Sequence, residues 1–87
     1  MKIHLQPASA TPVFQQLVEQ IHFAISAGEL EPGERLPSIR AIATAQGIAP
    51  NTVAKAYRQL EFRGLIKAQD RSGYSVAAEP VDSRYQA

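Results

Sequence analysis

An α+β domain of the winged helix-turn-helix type, three helices followed by a β-hairpin wing, is what this chain predicts, on three observations. Phe14, Leu17, Val18, Ile21 and Ile25 recur at the i, i+3, i+4, i+7 spacing of one helical face. Two further helical stretches meet across Gly47, and the second carries Val53, Ala56, Tyr57 and Leu60 as an inner stripe. Two short runs of strand character, 65–68 and 74–76, then flank Asp70, Arg71, Ser72 and Gly73, residues suited to a hairpin turn.

In chain order, residues 1–10 read as an N-terminal arm with an extended stretch around Ile3 and Leu5. The domain proper spans 11–76. Thr11 is the expected N-cap of the first helix, with Pro12 at N1, where its missing N–H costs nothing. Gly28 is placed to end that helix in the left-handed conformation. Residues 29–37 form a turn-rich connector with a short strand at Arg35 and Leu36. Ser38 follows Pro37 as a second N-cap, opening a helix to Gln46 that turns Ile39, Ile42 and Ala43 inward. Gly47 closes it and Ile48 plugs the turn. The third helix covers 49–63 and stops at Gly64. Residues 77–87 show no core pattern and read as a tail.

Eighty-seven residues suffice for one small domain, and an apolar fraction of 45% gives it a single core rather than disorder. Without cysteine there is neither a disulfide framework nor a thiolate metal site. No apolar run approaches the roughly 20 residues of a membrane span, and residues 1–7 lack the apolar stretch of a secretory signal. A cytoplasmic location is therefore expected. His4 and His22 stand alone, without carboxylates at ligand spacing, so no metal site is expected. No nucleophile–base constellation, carboxylate pair or phosphate-cradling glycine loop stands out, and neither catalysis nor a cofactor is expected.

The net charge of +1 is unevenly distributed. Residues 1–34 hold one lysine and four glutamates, for −3; residues 35–71 hold seven basic residues against Glu61 and Asp70, for +5. Residues 72–87 hold Arg84 against Glu79 and Asp82, for −1. Positive charge thus gathers on the segment with the helix-turn-helix pattern, the footprint of a polyanion binder.

Several runs resemble the DNA-binding domain of the GntR family of bacterial transcription regulators. They are Phe14 to Ile21, Gly28 to Arg40, Ala43, Gly47-Ile48, Asn51 to Val53 and Leu60 to Ile66. The resemblance extends from Pro12 to Val76. Residues 50–57 are similar to the YtrA-type branch, and the wing around Arg71 to Tyr74 is similar to MocR-type regulators as well. Two departures stand out. Ala49 occupies a position where the family usually has a Ser or Thr cap, and Pro50 replaces a common base-reading arginine. Family members normally continue into an effector-binding, dimerising or aminotransferase-like domain, so ligand sensing is not carried over.

Asn51, at N2 of the third helix, either pairs its amide with adenine or bonds the local backbone. Thr52 at N3 meets a thymine methyl or phosphate, or satisfies a helix-end donor. Lys55 lies one turn further along the same face, suited to phosphate or guanine, with a solvated lysine as the alternative. The resemblance implies that Arg40 contacts DNA. Ser38 caps its helix, whose N-terminus also suits a phosphate. Arg71, with Ser72 and Gly73 in the wing, is placed for the minor groove. Arg58 and Lys67 are phosphate partners or solvated charges. Tyr57 belongs to the core, Tyr74 packs under the wing, and Phe14 and Phe62 are core or interface residues.

The expected function is sequence-specific binding of double-stranded DNA by a transcription regulator, a repressor on family grounds. Helix 49–63 would lie in the major groove and wing 70–74 near the minor groove. A homodimer on a palindromic operator would supply the affinity that one small domain lacks. The alternatives are a winged-helix protein–protein interaction module and the DNA-targeting piece of a larger pyridoxal-phosphate regulator.

Overall fold

Helix α1, Val13–Ser26, buries Leu17, Val18, Ile21, Ala24 and Ile25 along one side, as the apolar spacing requires. The computed structural model describes residues 2–70 and 73–78. One expectation at the start of α1 is corrected. Pro12, not Thr11, is the N-cap; no side chain caps the helix, and the Pro12 carbonyl accepts from the Gln15 and Gln16 amides, both at 3.0 Å. Thr11 is drawn away from the capping position: its amide donates to Ser9 Oγ at 3.1 Å, and its carbonyl accepts from Gln16 Nε2 at 2.8 Å. At the other end Gly28 takes φ +82°, and the Glu29 amide reaches back to the Ala24 carbonyl at 2.9 Å.

The arm lies along α1. His4 exchanges two bonds with the Gln20 amide (2.9 and 2.7 Å), and Gln6 exchanges two with Gln16 (2.8 and 3.0 Å). Glutamines four apart on a helix are neighbours on its surface, at a spacing close to that of alternate residues in an extended chain. Ile3 and Leu5, which alternate with them, pack against the core, and Gln46 Nε2 donates to the Ile3 carbonyl at 3.4 Å.

Helix α2 runs Ile39–Gln46 and closes on Gly47, left-handed at φ +67°. Helix α3 is Pro50–Phe62. It buries Val53, Ala56, Tyr57 and Leu60, and with α1 and α2 encloses a single core. Strands β1 (Ile66–Asp70) and β2 (Gly73–Val76) pair antiparallel, Ile66 with Val76 and Lys67 with Ser75, with a bulge between Ala68 and Asp70. The expected first strand is shifted, because Leu65 closes α3 instead: its amide bonds the Leu60 carbonyl at 3.1 Å and its side chain is buried.

The connector contributes to the wing. Arg35 forms a bridge with Ser75, flanked by Val76 N–H to the Glu34 carbonyl (2.8 Å) and Leu36 N–H to the Tyr74 carbonyl (2.9 Å). Residues 33–36 therefore lie along the edge of β2 opposite β1. The short strand expected at Arg35 and Leu36 is thus a single bridged step that ties the wing to the start of α2.

Candidate nucleic-acid interface

Two helix starts and the base of the wing converge on one surface. Ser38 opens α2 as the sequence predicts, its Oγ accepting from the Ala41 amide at 3.0 Å. Tyr57, buried in α3, donates its hydroxyl to the Pro37 carbonyl just before that cap. Its ring meets Tyr74 of β2 edge-on, centroids 5.0 Å apart at 77°. One side chain thus connects the third helix to the start of the second and to the wing. Burial, with a smaller contribution from Tyr74, pushes the Tyr57 phenol far above its usual range, so it stays a protonated donor.

Helix α3 starts differently. Ala49 is its N-cap in extended conformation, without a side-chain bond, and Pro50 follows at N1. The Thr52 and Val53 amides fall back on the Ala49 carbonyl, at 3.0 and 3.4 Å. Asn51 is exposed at N2 and Thr52 half-buried at N3. Arg58 is exposed further along the helix.

Beside this start lies a cleft lined by Arg35, Ser38, Arg40, Pro50 and Gly73. It brings together two sequence-predicted residues of α2, one of the wing, and the proline that opens α3. Two guanidinium groups border it, and two helix N-termini add partial positive charge. Lys55 is placed elsewhere: its ammonium lies over the Phe14 ring of α1, 4.0 Å from the centroid. Arg71 and Ser72 lie outside the described residues. Gly73 is buried rather than presented on the surface.

The family model for "Bacterial regulatory proteins, gntR family" matches residues 14–76, most of the chain. The chain belongs to the gntR family. It is 42% identical over 65 residues to the HTH-type transcriptional repressor YtrA of Bacillus subtilis (strain 168), covering 75% of this chain and 50% of that protein. It is 41% identical over 73 residues to the HTH-type transcriptional regulator Rv1152 of Mycobacterium tuberculosis (strain ATCC 25618 / H37Rv), covering 83% and 60%. Among solved structures, YtrA from Sulfolobus acidocaldarius, a GntR-family transcription factor, superposes with a TM-score of 0.84 at 40% identity. That match covers 97% of this chain and 72% of the other. The chain spans about half the length of the curated relatives it matches.

This gntR-family domain has the three helices and antiparallel hairpin of a winged helix, and the relatives it matches are HTH-type transcription regulators. Its convergent surface suits a polyanion: guanidinium groups, helix N-termini and an exposed amide. Among the described residues no cluster of three or more His, Cys, Asp or Glu could hold a metal, and no helix is long and apolar enough to cross a membrane. Sequence reasoning missed Arg35, taken only as a strand position. The signal was present in the charge count of residues 35–71, but its neighbour in space, Gly73, is remote in sequence.

Proposed function

We propose that this domain recognises a specific double-stranded DNA sequence with α3 in the major groove, α2 across the sugar–phosphate backbone and the wing beside the neighbouring minor groove. The observation that carries this reading is the single cleft where Ser38 and Arg40 of α2 meet Pro50, with exposed Asn51 next in chain. In this arrangement Asn51 reads a base edge, and Thr52 meets a methyl or phosphate beside it. Ser38, Arg40 and Arg58 hold phosphates, while Arg71 and Ser72 reach the minor groove with Gly73 at their base. Lys55 supports the helix against Phe14 rather than lining the cleft.

The domain acts as a repressor, a reading supported by the similarity to the B. subtilis repressor YtrA. It works in the cytoplasm as a homodimer on a palindromic operator, because a few base contacts from one small domain give weak binding. Two copies on half-sites about one helical turn apart multiply that affinity. Selection of bound duplexes from a random pool, followed by sizing of the complex, tests the whole reading. A palindromic consensus carrying two protomers is the expected result. Failure to bind any duplex at low salt would overturn it.

A further inference from the structure

The ammonium of Lys55 lies 4.0 Å from the centre of the Phe14 ring, a contact between the outer face of α3 and the first turn of α1. The ring has little freedom of its own, because it is half-buried and packs against the core. Lys55 is exposed, and a lysine in that setting ordinarily samples many rotamers. A fixed ring beneath its charge selects among them. The contact therefore sets where one positive charge stands beside α3.

Helical geometry says which side of α3 that is. At about 100° per residue, Lys55 stands about 40° from Asn51 and about 200° from Tyr57. Tyr57 is the residue that reaches Pro37 at the start of α2. Phe14 instead lines a hollow with Gln59 and Arg63, one and two turns beyond Lys55. Helices α1 and α2 thus cover different flanks of α3, and exposed Asn51 lies on the outer face that both leave open. The cleft of Ser38 and Arg40 belongs to the α2 flank, the Lys55 ammonium to the α1 flank.

A helix seated in the major groove has a phosphate backbone on either side, one from each strand, about 12 Å apart. We propose that Lys55 contacts the backbone of the strand opposite the one met by Ser38 and Arg40, and that Phe14 is the residue that positions it there. This rests on the DNA-binding reading above. The ring takes one side of the ammonium and leaves other N–H donors to a phosphate oxygen, so the cation binds without leaving Phe14. Rotamers of the long stem are restricted before DNA arrives, which lowers the entropic cost of the contact. Phe14 acts on DNA through Lys55 and not through contact of its own.

The test uses the full chain, a duplex obtained by selection and an unselected duplex of equal length, with affinity read by fluorescence anisotropy between roughly 50 and 200 mM salt. Lys55→Gln is expected to weaken both duplexes several-fold, by a similar factor, and to lower the salt slope by about one. Phe14→Leu keeps an apolar side chain against the core and removes the ring. It should weaken both duplexes by roughly 2- to 5-fold, and have no further effect in the Lys55→Gln background. Phe14→Tyr, which restores a ring face, should bind as the parent does. Thermal melts of each variant confirm folding. Replacing single phosphates of the selected duplex with neutral methylphosphonates assigns the strand. Sensitivity at one phosphate should vanish in Lys55→Gln, and the phosphate whose sensitivity vanishes in Arg40→Gln should lie on the other strand. The proposal is overturned by unchanged binding in folded Lys55→Gln, or by both phosphates lying on one strand. It is equally overturned by unchanged or tighter binding in Phe14→Leu, or by equal loss from Phe14→Leu in both backgrounds. Failure of the unmutated chain on both duplexes would instead overturn the DNA-binding reading itself.

Discussion

Helix α2 begins under a side-chain cap, Ser38 Oγ on the Ala41 amide at 3.0 Å, whereas α3 begins at Ala49 with no side chain to serve that purpose. The first start is self-contained and tied down: Pro37, just before it, accepts from Tyr57, and Arg40 stands exposed in its first turn. The second depends on Pro50, which removes one donor, and on the Ala49 carbonyl, which takes the Thr52 and Val53 amides. A positioning helix benefits from a start that satisfies itself. A reading helix whose start faces DNA can leave its end groups for the ligand, at a stability cost of about 1 kcal/mol for the missing cap.

Breaking the link between the two starts has the largest effect. Tyr57→Ala removes a fully buried ring, its hydroxyl bond to Pro37 and its contact with Tyr74. We expect a loss of about 3–5 kcal/mol in urea unfolding. The same residue gives the domain a sensitivity to alkali. Its phenol titrates higher in the folded chain than in the unfolded one. Its contribution is therefore complete below about pH 10, where both states are protonated. Above that pH only the unfolded chain releases the proton, and stability falls toward a limit of about 1.4 kcal/mol per pH unit. Unfolding titrations at rising pH should show this decline, and Tyr57→Phe should flatten it.

Exchanging the caps tests the contrast directly. Ser38→Ala should cost about 1 kcal/mol, while Ala49→Ser should add stability of the same order, both read from melting curves. Equal responses at the two positions would erase the distinction between the helix starts. The smallest expected effect is at Lys55. Replacing it with glutamine removes the cation over Phe14 and should cost about 0.5 kcal/mol of stability. A double-mutant cycle with Phe14→Leu should return that value as coupling.

Patterns local in sequence were legible in this chain. The stripes of α1 and α3, the Ser38 cap and the Gly47 stop depend on neighbours within a turn or two, and each is found where spacing and capping chemistry place it. What escaped depends on partners far along the chain. Thr11 loses its cap because Gln16 takes its carbonyl, and the arm is fixed by Gln16 and Gln20, whose partners lie far away in sequence. Lys55 occupies the outer face of α3, but its long side chain reaches Phe14 across the helix pair. Arg35 shows the same limit at the candidate site, since only strand register brings it over Gly73.

The claim at the centre of this account is that the uncapped start of α3 reads DNA sequence, and Asn51→Ala addresses it most directly. Affinities of the parent and variant chains are to be measured on a selected duplex and on its single-base-pair variants. A loss of about 1–3 kcal/mol on the selected duplex, with discrimination relaxed at one base pair, is the predicted result. An undiminished affinity, or a loss spread evenly over every duplex, would contradict it.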